Sequence, residues 1–480
     1  MTEIRNSALR EHVTRVGFDL TLGKTHSYAE FLARRAQLGG DHGFDPAWMP
    51  DFLYPFQAGL VDWATRKGRA AIFADCGLGK TPMQLTWAEN VRRHTGRPVL
   101  IVTPLAVAYQ TETEAQKFGV DAAVSRDGKV AAGITITNYD RLERFDRNDY
   151  AGVVGDESSA IKAFDGRRRM LVTDFLRKMP YRLLCTATAA PNDYIELGTS
   201  SEALGHLGHI DMLNRFFTNQ QRNSSTGRGY LGQQNNWRFK GHAEQPFWRW
   251  VSSWARAMRR PSDYGHTDDG FVLPELRHRQ HIVEASQPAD GALFEVPAVR
   301  LREEQEQARR TIAKRCATAA ALLADAEHGI AWCHLNPEAD RLTAEIDGAA
   351  QVKGSDPIEA KEETLAAFTR GEIRVLVTKP SIAGWGLNWQ HCHRMTYFPS
   401  HSYEQYYQAV RRCWRFGQTR PVTVDIVTTQ GGSRALANLQ RKAQQADRMF
   451  DALVAHMRDA DSIRRDTAYP IEVEVPAWAC

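Results

Sequence analysis

The stretch FADCGLGKT, from Phe73 to Thr81, constrains this chain more than any other. A phosphate-binding loop needs a small residue, four spacers and then Gly-Lys-Ser/Thr, because only that length lets consecutive backbone N–H groups curl around a phosphate. Ala74 opens the loop, Asp75-Cys76-Gly77-Leu78 space it, and Gly79-Lys80-Thr81 close it. The flanks agree: RAAIFA (Arg69 to Ala74) reads as a buried strand, and TPMQLTWAENVRRH (Thr81 to His94) as a helix whose N-terminus faces the anion. A second LGKT, ending at Thr25, fails the count because Gly17 stands one residue too far from Gly23, so Lys24 is read as structural.

A phosphate loop of this kind implies an α/β fold. Short apolar strands (AAIFA, PVLIVT, GITIT, GVVGDE, YRLLCTAT) alternate with helical stretches from about Arg69 to Thr188, the rhythm of a parallel sheet. A second series begins near Gly329 with GIAWCHL, AAQVKG, RVLVTK, RMTYFP and VTVDIVTT. Two similar α/β lobes account for both, and 480 residues with 42% apolar and 25% charged side chains suffice for them. No apolar run is long enough to span a membrane, and MTEIRNSALREHV lacks the apolar stretch of a secretory signal. Seven scattered cysteines with no CxxC pair suit a reducing compartment, so the expected location is cytoplasmic. His391-Cys392-His393 point in different directions as neighbours and make a poor zinc site.

The net charge is only +4, yet between Arg215 and Arg260 nine Lys/Arg stand against the single acid Glu244. Within that segment TNQQRNSSTGRGYLGQQNNWRFKGHAEQ (Thr218 to Gln245) has the composition of an exposed loop. The following PFWRWVSSWARAMRRPSDYG places Trp248, Trp250 and Trp254 in a helix, where core packing is expected over base stacking, and DDGFVLPEL reads as an extended connector.

A phosphate loop that hydrolyses ATP needs an acid after a hydrophobic strand to hold Mg²⁺. AGVVGDESS supplies Asp156 for the ion, alongside Thr81, and Glu157 to orient and deprotonate water. In the second series YYQAVRRCWRFGQ puts Arg412 and Arg415 about one helical turn apart, where both could face one phosphate group if the lobes close.

The ordered set resembles the superfamily 2 helicases, and most closely the SWI/SNF-like translocases, including stand-alone versions found in phages and bacteria; the resemblance covers about Phe52 to Ala446. LYPFQ resembles the adenine-reading segment, ADCGLGKT motif I, VTPLAVAYQTETEAQKF motif Ia, ITNYDRL motif Ib and DESSAIK motif II. CTATAAPNDYIEL resembles motif III, SIAGWGLN motif V and QAVRRCWRFGQ motif VI.

The resemblance implies two RecA-like lobes, ATP and Mg²⁺ as cofactors and DNA as partner. It implies that Gln57 hydrogen-bonds adenine, and that Gly77, Gly79, Lys80, Thr81, Asp156, Glu157, Gly386, Arg412, Arg415 and Gln418 lie on the ATP side. It carries the nucleic-acid track over to Thr103, Pro104, Asn138, Lys162 and Trp385, to which the basic segment would add Arg228 and Lys240 as backbone contacts. Two departures stand out. Ser158-Ser159 replace the Ala-His of DEAH, so coupling is expected to run through Thr186, Thr188 and Gln418, and Pro380 and Trp385 replace small polar residues of motif V.

The expected organisation is an N-terminal extension (1–50), a first lobe (51–285) with a basic polar insertion at about 205–270, a second lobe (286–460) and a tail (461–480). The expected activity is ATP-driven translocation on DNA, mainly duplex. A strand-separating DNA or RNA helicase is the alternative within enzymes, and a nucleotide-gated DNA clamp with negligible turnover the alternative outside them. A partner nuclease or a replication or repair protein is conceivable, and no sequence feature identifies one.

Overall fold

The computed structural model describes residues 41–163, 166–190, 193–219, 237–284, 301–383, 387–429 and 433–465. The expectations for Arg228, Trp385 and Gly386 fall outside these residues, as do most of the N-terminal extension and the tail beyond 465.

The first lobe is built on a seven-stranded sheet in the order β3-β4-β2-β5-β6-β1-β9. Its strands are β1 (Arg69–Ala74), β2 (Val99–Thr103), β3 (Ala122–Val124), β4 (Ile134–Asn138), β5 (Gly152–Asp156), β6 (Tyr181–Cys185) and β9 (Ala255–Met258), all paired in parallel. A small antiparallel pair, β7 (Phe217–Asn219) and β8 (Trp237–Phe239), stands apart from it. The second lobe holds a six-stranded sheet in the order β10-β15-β14-β11-β13-β12. These strands are β10 (Leu276–Val283), β11 (Gly329–Trp332), β12 (Ala349–Gln351), β13 (Val375–Thr378), β14 (Arg394–Tyr397) and β15 (Val422–Thr429), again all parallel. The expected pair of RecA-like α/β lobes is therefore present.

The apolar runs of the first lobe are continuous rather than alternating because both sheet faces are covered. In β1, Ala71 and Phe73 enter the core on one face while Ala70, Ile72 and Ala74 enter the other; in β2, Leu100 and Val102 are separated from Val99 and Ile101 in the same way. That is the two-residue period of a strand expressed on both sides. Helix α1 (Pro55–Lys67) and helix α2 (Lys80–Thr95) pack together and onto the face that holds Ile72 and Val99.

Three boundaries differ from the sequence expectation. Strand β10 pairs with β15 along its whole length, so the second sheet begins at Leu276, inside the span assigned to the first lobe. The segment expected as one tryptophan-bearing helix divides: helix α3 covers Glu244–Ser252, and Ala255–Met258 is the edge strand beside β1. Trp248, Trp250 and Trp254 are all buried, and with Phe247 and Phe216 they make part of the first-lobe core, so the described part of the expected insertion is partly core. Aromatic side chains outweigh the polar composition around them, because each removes about 150–250 Å² from water.

Helix α4 (Tyr403–Val410) leads into the RRCWR segment. The last helix, α5 (Ser433–Arg465), serves both lobes: Leu436, Leu439 and Ala446 join the second-lobe core, whereas Met449, Phe450, Leu453 and Met457 join the first. The backbone N–H of Ala257 in β9 meets the Met457 sulfur at 3.0 Å. No helix among the described residues is long and apolar enough to cross a membrane.

Candidate active site

Strands β1, β6 and β5 lie side by side, so the turns at their C-terminal ends share one edge of the sheet. After β1 comes the loop Asp75–Gly79, with Gly77 at φ 90° and Gly79 at φ 75°. Both conformations favour glycine. A Cβ on Gly79 would collide with the Gln57 side chain, and one on Gly77 would meet the Cβ and backbone N of Phe416 at 2.8 Å. The loop is thus enclosed by its own lobe on one side and by the second lobe on the other.

Lys80 opens helix α2 and returns over the loop, its Nζ donating to the Ala74 carbonyl at 3.1 Å. Burial alone would depress its charge, but the Cys76, Glu157, Asp156 and Asp75 side chains around it outweigh that and raise its pKa. Asp156 ends β5 and accepts a hydrogen bond from Gln84 Nε2 at 2.5 Å. Burial, reinforced by Glu157, pushes the Asp156 carboxyl up to about 7. Glu157 has φ 45°, the one positive value at a non-glycine among the described residues. A left-handed backbone at such a residue costs on the order of 1–2 kcal/mol, a strain that marks positions where side-chain direction matters.

The cleft between the lobes has a volume of about 460 Å³, and Lys80, Thr81, Asp156, Glu157, Arg412 and Arg415 all line it. Adjacent buried carboxylates facing one lysine are a donor set that fits a hard divalent cation, and Thr81 and Asp156 are the residues that would hold it.

The two arginines are not equivalent. Arg412 is buried and engaged: Nε donates to the Gln408 carbonyl at 3.0 Å, Nη2 to Gln408 Oε1 at 2.8 Å and Nη1 to the Leu387 carbonyl at 3.0 Å. Among the described residues Arg415 has only a long contact to Leu387 O at 3.4 Å, and its Nε has no partner there. Burial, followed by the neighbouring Arg412 charge, lowers Arg415 to about 10.

Other expected residues are placed differently. Gln57 lines the cleft, but its amide bridges backbone, accepting from Tyr54 N at 3.0 Å and donating to the Leu78 carbonyl at 2.9 Å. It therefore braces the loop in this conformation. Gln418 lies away from the cleft; its Nε2 donates to the carbonyls of Gln390, Cys392 and Cys413. Thr103 and Asn138 are paired at the ends of β2 and β4, and both are buried. Thr103 Oγ1 bonds the Pro104 carbonyl and Asn138 Oδ1 caps the next turn through Arg141 N. Pro104 follows, half-buried, at the same sheet edge. Lys162 is engaged within the first lobe, donating to the Ala189 carbonyl and lying 3.7 Å from Glu196, with the Glu404 charge of the second lobe also acting on it. Lys240 donates to the Asn214 carbonyl at 2.5 Å.

Three participants had no signal strong enough to read in the sequence. Asp75, a loop spacer, contacts Arg411 and Tyr407 of the second lobe. Glu404 on α4 reaches Thr188 of the first. Phe271, in the connector, packs on Phe416 with ring centroids 4.9 Å apart at one end of the cleft. The run RRCWR sets Arg411 beside Arg412, but only Arg412 and Arg415 have the one-turn spacing that suits a shared phosphate.

No family model matches the chain. It is 22% identical over 479 residues to the putative protein p41 of Acyrthosiphon pisum secondary endosymbiont phage 1, an alignment covering 83% of this chain and 98% of that one. Among solved structures it is similar to the Sulfolobus solfataricus SWI2/SNF2 ATPase core in complex with dsDNA, at 15% identity and TM-score 0.40, covering 88% of this chain and 98% of that one. It is also similar to Mycobacterium smegmatis helicase Lhr bound to ssDNA and AMP-PNP, at 16% identity and TM-score 0.48, covering 82% of this chain and 48% of that one.

Proposed function

We propose that the chain is a nucleic-acid-stimulated ATP hydrolase of helicase superfamily 2, of the SWI/SNF-like kind, that moves along DNA, mainly duplex. The observation that carries this reading is the meeting of Lys80, Thr81, Asp156, Glu157 and Arg415 in one cleft whose walls come from two lobes. A phosphate chain laid on the loop would place its terminal group between Lys80 and the second lobe. Glu157 would accept the proton of the attacking water as the bond from the γ-phosphorus to its bridging oxygen breaks. Arg415, whose Nε has no partner among the described residues, would neutralise the charge that develops on the departing and equatorial oxygens. Mg²⁺ held by Thr81 and Asp156 would supply a fixed positive charge beside the same oxygens.

Because the cleft is completed by both lobes, nucleotide state and lobe separation are thermodynamically linked, and alternating grip on a phosphodiester backbone turns that linkage into steps. The excess of positive charge between Arg215 and Arg260 supports a polyanionic track read through its backbone. The test is the ATPase rate with duplex DNA, single-stranded DNA and RNA over a range of salt. Stimulation by blunt duplex that falls steeply with salt is expected. RNA as the best activator would overturn the choice of substrate, and no turnover with any nucleic acid would overturn the motor.

A further inference from the structure

The second lobe touches the phosphate loop at its spacer residues. Arg411 forms an ion pair with Asp75, side chain to side chain, with only 8% and 12% of the two side chains exposed. Tyr407 OH donates to the other carboxylate oxygen, which also accepts the Cys76 backbone N–H at 2.7 Å. Asp75 is in turn fixed to its own lobe through its backbone N–H, which donates to the Met258 carbonyl of β9 at 2.9 Å. Two residues along, Gly77 lies against Phe416. The guanidinium of Arg411 is itself confined, packed over the Trp414 ring at 4.4 Å from its centroid.

We infer that Asp75, Arg411 and Tyr407 form a closure lock on the phosphate loop, in which Arg411 is a positioning residue that makes the loop's nucleotide-ready shape depend on contact with the second lobe. The inference rests on the proposed ATP-hydrolysing function and adds to it a second route between the lobes.

The physical reason is the position of the charge. Asp75 heads the spacer whose N–H groups must converge on phosphate, and its carboxylate already organises the first of them, Cys76. With Arg411 in place the carboxylate is neutralised and can remain buried. Without it, an uncompensated buried charge drives either the loop or the whole second lobe outward. Linkage makes the relation mutual: whatever weakens the pair weakens nucleotide binding, and nucleotide binding strengthens closure.

The experiment compares the full chain with Arg411→Ala, Arg411→Lys, Asp75→Asn and the double variant Asp75→Asn/Arg411→Ala. Its readouts are the Kd of a non-hydrolysed ATP analogue, the split between KM and kcat, and small-angle scattering of the nucleotide-free protein. Arg411→Ala is expected to raise Kd and KM by roughly 5- to 150-fold, the usual range of a coupling between sites, with a much smaller change in kcat at saturating ATP. The nucleotide-free particle should become more extended. Arg411→Lys should recover part of the affinity, and the double variant should lose less than the sum of the single losses.

Unchanged nucleotide affinity in Arg411→Ala, or strictly additive single losses, would overturn the lock. Should Arg411→Ala fail to fold, Arg411→Lys, which keeps both charges, and the double variant, which removes both, carry the same comparison, because neither leaves a bare charge. A full chain that binds no ATP, with Lys80→Ala no weaker than it, would overturn the reading of the cleft; ATP binding lost in Lys80→Ala but equal in the Arg411 variants would overturn the lock alone.

Discussion

Thr188 Oγ1 of the first lobe lies 3.4 Å from Glu404 Oε1 of the second, within hydrogen-bonding reach across the lobe boundary. Behind it, the Thr188 and Thr186 hydroxyls each lie 3.2 Å from Ser159 Oγ, and Thr186 Oγ1 is 3.4 Å from the Glu157 carboxylate. A chain of hydroxyls therefore runs from Glu157 to a carboxylate on α4. Of the three residues expected to couple the lobes, Thr186 and Thr188 are in this chain and Gln418 is not; Ser159, which stands where the related motif has histidine, and Glu404 complete it.

Glu404→Gln is expected to leave basal ATP hydrolysis within a few-fold of the full chain while reducing its stimulation by duplex DNA by roughly tenfold, a coupling of modest size. Ser159→Ala should act in the same direction. The ratio of stimulated to basal kcat is the measurement, and a proportional loss of both would mean that the chain merely supports Glu157.

Arg415→Ala should lower single-turnover hydrolysis by roughly 10³-fold, the usual contribution of an arginine that meets transferring phosphate, with little change in thermal stability. Arg412→Ala should do the opposite in emphasis. Its guanidinium is buried with three hydrogen bonds to Gln408 and Leu387, so removing it should cost about 2–5 kcal/mol in denaturant unfolding. Equal kinetic losses with equal stability would contradict the difference in their environments.

Stability should fall in mild acid because of His206. Burial lowers its pKa to about 4, and its ring stacks on Trp254 with centroids 5.8 Å apart. A histidine with a depressed folded value contributes stability that is complete above its unfolded pKa of about 6.5 and is lost as pH falls through the folded value. Between about pH 6.5 and 4 the loss should reach at most about 3 kcal/mol. Denaturant unfolding of the full chain and of His206→Phe across that window checks this: the variant should show a flatter acid limb.

Leu453→Ala should destabilise the first lobe although it follows the second in sequence, because Leu453 is wholly buried in the first-lobe core. A cost of about 2–5 kcal/mol is expected for a leucine cavity. Hydrogen exchange should locate the loosened amides around β9 and α3; protection lost chiefly in the second-lobe sheet would contradict the packing of α5.

Local chemistry alone determined much of the fold. The strands of both sheets that flank the motifs were legible as short apolar runs, since a strand covered on both faces must be apolar along its length. The loop at Asp75–Gly79 was legible from glycine spacing, because few other residues adopt its backbone angles. What required tertiary structure was every relation between distant side chains. Arg412 and Arg415 look alike in sequence, yet packing engages one guanidinium on Gln408 and Leu387 and leaves the other lining the cleft with an Nε that has no partner among the described residues. Ala255–Met258 reads as helix from its neighbours and is a strand because β1 offers it an edge. Asp75 and Arg411 carry no mark of one another across more than 300 positions, and only lobe contact makes them a pair. Periodicity and spacing record local geometry, whereas which charges are buried together is set by how the two lobes and α5 pack.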